Sequence, residues 1–103
     1  MYTIIIDDII TAYIPNSFSP NADGINDLFN IYSHGIAPDN FEMIIFDRWG
    51  NKIFHTRDLY EGWNGAVNNN GTVVQIDVYV YRFNYKDVKG KKHKAIGHVT
   101  IVK

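Results

Sequence analysis

Asp77-Val78-Tyr79-Val80-Tyr81-Arg82-Phe83-Asn84-Tyr85-Lys86 alternates with a period of two residues. After Asp77 its odd positions are all aromatic, while its even positions pass from Val78 and Val80 to Arg82, Asn84 and Lys86. Successive side chains of a β-strand point to opposite faces, so the pattern predicts a strand with its odd side buried and its even side reaching water at the far end. Tyr79, Tyr81, Phe83 and Tyr85 could instead form a platform for sugars, but beside a β-branched set packing into a core is the plainer use. A turn over 87–92 and a returning strand over 93–102 follow. Lys89, Lys91, Lys92 and Lys94 surround Gly90 on this hairpin, either as a solvated tip or as a contact for lipopolysaccharide phosphates.

Working outward, residues 2–6 and 9–14 are β-branched runs separated by Asp7-Asp8. An apolar run over 41–46, the turn Arg48-Trp49-Gly50-Asn51 and a strand over 52–56 read as a hairpin with Gly-Asn at its tip. Gly62-Trp63-Asn64-Gly65 and Asn68-Asn69-Asn70-Gly71 are loops rich in residues that tolerate the left-handed region. No window keeps a helical apolar stripe for three turns. The expectation is an all-β chain, an antiparallel immunoglobulin-like β-sandwich of about seven strands. At 103 residues it is one domain with room for a core. We assign 13–103 to that domain and 1–12 either to the end of an upstream linker or to a first edge strand, which could pair within the domain or between copies.

Composition narrows the function. A net charge of −1 gives no broad case for nucleic acid or an anionic membrane surface. Cysteine is absent, which excludes disulfides, thiolate metal sites and a cysteine nucleophile. No apolar run approaches the roughly 20 residues of a membrane helix. The first residues lack a basic n-region, so they are no signal peptide, and the chain is either intracellular or a fragment whose export signal lies elsewhere. His34, His55, His93 and His98 lack ligand spacing; His93 and His98, five apart on a strand, should point to opposite faces. Ser17, Ser19 and Ser33 have no nucleophile-elbow context, and no paired acids suit glycoside chemistry. We read no active site and expect no enzyme.

The densest turn chemistry lies in Ile14-Pro15-Asn16-Ser17-Phe18-Ser19-Pro20-Asn21-Ala22-Asp23-Gly24-Ile25-Asn26-Asp27-Leu28-Phe29. Two prolines fix φ, Gly24 takes positive φ cheaply, and Asn16, Ser19, Asn21, Asp23 and Asn26 bond their own backbone. We expect a rigid loop anchored by Phe18, Leu28 and Phe29. Its oxygens could hold calcium through Asn21, Asp23, Asn26 and Asp27. Laid on the EF-hand pattern from Ser19, however, the first position lacks a carboxylate and the twelfth is Asn30 where a bidentate glutamate belongs. The alternative is that Asp23 and Asn26 close Asx-turns and Asp27 bonds loop amides. Arg48, Trp49 and Trp63 could be a recognition surface, since arginine and large aromatics are enriched in binding hot spots. Otherwise the tryptophans cap the sandwich ends and Arg48 stacks on a ring or pairs with Asp47 or Asp27, cross-linking the loop to the hairpin.

This loop, followed by Ile45-Phe46-Asp47-Arg48-Trp49-Gly50, Gly62-Trp63-Asn64-Gly65, Asp77-Val78-Tyr79-Val80-Tyr81 and Gly97-His98-Val99-Thr100-Ile101, resembles the gliding motility-associated C-terminal domain of Bacteroidetes proteins. That family is also called the type B sorting domain of the type IX secretion system. The resemblance runs from about Ile14 to the last residue. Two departures stand out: Ala22 replaces a usual glycine, and Asn64 replaces an aspartate, which weakens a metal role for the second loop. The resemblance implies a non-catalytic C-terminal sorting domain. It would direct a larger secreted or cell-surface protein from the periplasm across the outer membrane, read there by the type IX machinery with a PorP/SprF-like barrel protein as partner. The export signal would then lie at the N-terminus of that parent, with Met1 the start of an expressed fragment. Arg48, Trp49, Gly50, Trp63 and Lys103 are the candidate recognition residues. The rival expectation is a calcium-dependent adhesion or carbohydrate-binding β-sandwich.

Overall fold

A computed structural model describes residues 2–6, 11–20, 28–70, 74 and 77–102. Among these, eight strands form two sheets. They are β1 (Tyr2–Ile6), β2 (Thr11–Pro15), β3 (Ser17–Phe18), β4 (Tyr32–His34), β5 (Glu42–Phe46), β6 (Lys52–Thr56), β7 (Val78–Lys86) and β8 (Lys92–Ile101). One sheet runs β1-β2-β4 and the other β3-β8-β7-β5-β6. The helical pieces are two short 3₁₀ turns, Pro38–Asn40 and Val67–Asn69. The chain is therefore all-β, as its alternation predicted, and the Tyr2–Ile6 run is an edge strand paired with β2.

The pairing is not wholly antiparallel. β3 runs parallel to β8, with Ser17 opposite Thr100 and Phe18 opposite Ile101. The reason lies at Pro15-Asn16. Proline has no N–H to continue the ladder of β2, and the chain bends at Asn16 before β3 joins the other sheet. Asn16 and Phe18 carbonyls then accept the N–H groups of Thr100 (2.8 Å) and Val102 (3.0 Å).

β7 is the central strand, flanked by β8 and β5. Tyr79, Tyr81, Phe83 and Tyr85 are all buried, so this row is core and not a sugar platform. Against it lie Phe29, with its ring centroid 5.6 Å from Tyr81 and 6.5 Å from Phe83, and Trp63, 5.3 Å edge-on to Tyr79. Phe18 packs 5.4 Å from Trp63. Offset and edge-to-face contacts of this kind add to the area term of burying large rings. Of the three expected loop anchors, Phe18 and Phe29 are in the core, but Leu28 is 44% exposed. Phe29 exchanges both backbone hydrogen bonds with Trp63, which turns Phe29 inward and its chain neighbour Leu28 outward. The even side of β7 is wetter than its valines suggested. Val78 is exposed, because no described element covers the outer face of the larger sheet near it.

Both hairpin tips use one device. Asp47 N–H donates to the Asn51 carbonyl (3.0 Å), Gly50 N–H to the Asp47 carbonyl (3.1 Å), and Asp47 Oδ1 accepts the N–H groups of Trp49 (2.9 Å) and Asn51 (2.8 Å). Asp87, Lys89, Gly90 and Lys91 repeat every one of these bonds. Gly50 and Gly90 take φ of +86° and +89°, the left-handed step that closes each turn. The tip residues are thus Arg48-Trp49, two positions earlier than the Gly-Asn expected, because the aspartate side chain caps the turn from its first position.

Gly97 sits opposite Tyr81 in the β7–β8 ladder, and a Cβ there would collide with the Tyr81 hydroxyl oxygen. Gly97→Ala is expected to cost about 1–3 kcal/mol as overpacking against a ring fixed in the core. In a Tyr81→Val background the cost should largely vanish. Urea unfolding of the single and double variants checks this.

Candidate functional site

The candidate recognition residues converge from opposite ends of the sequence because of the ladder. Phe46 pairs with Val80 and Val78 with Thr100, so the 47–51 tip, Asp77 and the end of β8 share one end of the larger sheet. Arg48 Nη2 donates to Asp77 Oδ1 at 2.5 Å. Asp77 Oδ1 also accepts the Val78 N–H (2.7 Å), and the Asp77 carbonyl accepts the Ile101 N–H (3.0 Å). The tip is thereby tied through one aspartate to the last strand. Ser19 Oγ completes the junction by donating to the Val102 carbonyl at 3.2 Å.

Arg48 therefore pairs with Asp77 and not with Asp47, while Asp27, the other partner expected, lies outside the described residues. Asp47 is already occupied as the turn cap, with Oδ2 accepting from Asn51 Nδ2 at 2.9 Å, and the ladder sets Asp77 beside the tip. Asn21, Asp23, Asn26, Asp27 and Lys103 lie outside the described residues. Among the described residues, no three histidine, aspartate or glutamate side chains gather as metal ligands.

The two tryptophans have opposite environments. Trp49 is 79% exposed at the tip, whereas Trp63 is fully buried, with its indole N–H donating to the Ala66 carbonyl at 2.8 Å. Trp63 is a core residue and offers no surface to a partner. Its loop is built by asparagines: Asn64 Oδ1 accepts from the Ala66 N–H, Asn69 Oδ1 from the Asn64 N–H, and Asn69 Nδ2 donates to the Gly62 carbonyl. Asn68 and Asn69 take positive φ, as the loop composition anticipated. Asn64, where the resembled family has aspartate, is thus a structural cap.

Each carboxylate with a clear shift lies below its ordinary value. Asp47 is lowered by Asn51 and the turn amides, and Asp77 by the Val78 N–H and then Arg48. Asp87 is lowered by His93 and the Lys91 and Lys89 amides, and Glu42 by His55 and Asn84. Burial, with the charges of Asp77 and Asp47 behind it, raises the Tyr79 phenol above its ordinary value, so it stays neutral beside the tip. Sequence reasoning missed the Asp77 and Asp87 roles. The repeated Asp-x-x-Gly spacing at 47–50 and 87–90 was the available clue. His93 and His98 do lie on opposite faces, His93 stacked 5.3 Å from Tyr85 and His98 exposed.

The geometry is that of a β-sandwich module with a braced aromatic tip at one end. Over residues 12–101 the chain matches the family model of the CHU_C Type IX secretion signal domain, and it belongs to that family. No curated protein matches it. Membership implies export and recognition by the type IX secretion machinery. No helix among the described residues is long and apolar enough to cross a membrane.

Two outcomes follow from this site. Trp63→Ala should cost about 3–5 kcal/mol in chemical unfolding, whereas Trp49→Ala should leave the midpoint nearly unchanged. A carboxyl group whose value is depressed on folding contributes stability that is present above its unfolded value and lost as pH falls through the folded one. The melting temperature should therefore drop as pH falls below about 4, and Asp87→Asn should lower the neutral-pH melting temperature while shrinking that acid-dependent drop.

Proposed function

We propose that this domain is a non-catalytic address that directs a larger surface or secreted protein from the periplasm across the outer membrane. Its folded surface is the cue, read by the type IX machinery through a PorP/SprF-like barrel protein. The supporting observation is the exposed Trp49 on a tip held by the Asp47 cap and by Arg48 on Asp77, one backbone hydrogen bond from β8. A large ring exposed on a braced turn is a low-entropy anchor for a partner, because little is left to order on binding. The residues that build this end are separated in sequence by tens of positions, so a linear peptide cannot present them together.

Residues 13–103 fused behind a periplasmic reporter should carry it out of a type IX-competent host. Trp49→Ala should cut export severalfold while the domain melts normally. Arg48→Ala should lower both export and, slightly, the melting temperature, with the stability part fading in high salt. Retention of the unmodified fusion in the periplasm, with the barrel partner present, refutes the reading.

A further inference from the structure

The β7–β8 ladder leaves half of the β8 backbone facing away from β7. Ile101 N–H donates to the Asp77 carbonyl, and at the other end Asp87 N–H donates to the Lys91 carbonyl, both at 3.0 Å. Opposed pairs in an antiparallel ladder alternate between bonded and non-bonded. With the observed register, odd residues of β8 face β7, while Lys92, Lys94, Ile96, His98 and Thr100 direct N–H and C=O to the other side. Thr100 fixes this phase independently, since its N–H reaches Asn16 on β3. Yet β3 covers β8 only at Thr100 and Ile101. From Lys92 to His98, no described strand pairs with that side. Exposure agrees: Ile96 is 65% exposed, and the inward-facing Ala95 and Gly97 are only half-buried, unlike their neighbours across the ladder on β7.

The same stretch is the positive pole of the chain. Five of the ten lysines and arginines fall between residues 86 and 94 with a single acid, Asp87; elsewhere five cations face ten acids. Asp87 is buried and held by His93 Nε2 at 3.1 Å. A groove of about 510 Å³ opens at this end of the sheet, lined by Lys86, Lys92 and Lys94 with Asn40 and Asn84.

We propose that the β8 edge from Lys92 to His98 is a docking site for an extended acidic segment of a partner protein, which joins the larger sheet as a further strand. The outward N–H and C=O groups supply the ladder bonds of strand addition. Lys92 and Lys94, on one face of β8, set the sign of the cross-strand neighbours on that face. A second copy of this chain is disfavoured, because two positive poles would meet and edge lysines keep like edges apart. This site lies at the far end of β8 from the Arg48 tip and does not depend on the export reading.

The purified chain is titrated with a synthetic peptide of alternating glutamate and valine, and with the version carrying lysine at every glutamate. Saturable, salt-weakened binding of the acidic peptide is expected, with slowed amide exchange at Ile96 and His98 in the unmodified chain. Ile96→Pro removes an edge donor without touching the β7 ladder, and Lys92→Glu with Lys94→Glu reverses the charge; each should weaken binding roughly tenfold or more while the fold melts normally. No binding, equal binding of the lysine peptide, self-association in place of peptide binding, or unprotected Ile96 and His98 amides in the bound state each overturn the proposal. Full affinity in Ile96→Pro overturns it too, since that result leaves a charge patch without strand addition. A chain that binds the peptide but fails to export its reporter, or the reverse, separates this site from the export cue.

Discussion

Everything in this domain is arranged around the aromatic face of β7. Four rings on one side of a single strand must leave water together, and they can do so only if a second layer closes over them. Phe29, Trp63, Phe18 and Phe41 supply that layer from segments with little regular structure of their own. The Phe29–Trp63 backbone bridge, the asparagine caps of the 62–70 loop and the switch of chain at Asn16 all serve to hold those rings in place. Polar loop chemistry here is therefore part of the core's construction.

That dependence explains which features were legible in the sequence. The alternation of β7, the hairpin over 42–56 and the core role of Phe18 and Phe29 follow from local pattern, because period two and turn residues act over a few positions. The parallel contact of β3 with β8 is not local. It joins two strands of one sheet over 80 residues apart in sequence, and no spacing rule encodes it. Leu28 was misjudged for a similar reason: which of two adjacent apolar residues turns inward was decided by the remote partner Trp63. The Arg48–Asp77 contact likewise needed the strand order β7-β5-β6 before Asp77 could be seen beside the tip. By contrast, the family resemblance was readable early, because its ordered motifs are the turn and anchor residues that the fold requires.

The two ends of the larger sheet differ chemically although their turns are built alike. Asp47 and Asp87 hold identical bond patterns, so the scaffold beneath each tip is equally firm. At one tip the exposed positions carry Arg48 and Trp49; at the other they carry Val88 and Lys89 within a run of lysines. A shared framework with unlike surface residues presents two separate faces to other molecules, one aromatic and one cationic.

The clasp of Ser19 and Phe18 onto Val102 spans 83 residues in the Ser19 contact. Without β8, β7 would be paired on one side only and β3 would lose its described partner, so the larger sheet cannot be completed ahead of that strand. Closure of the larger sheet thus waits on β8, the strand that comes last in the chain order of those described.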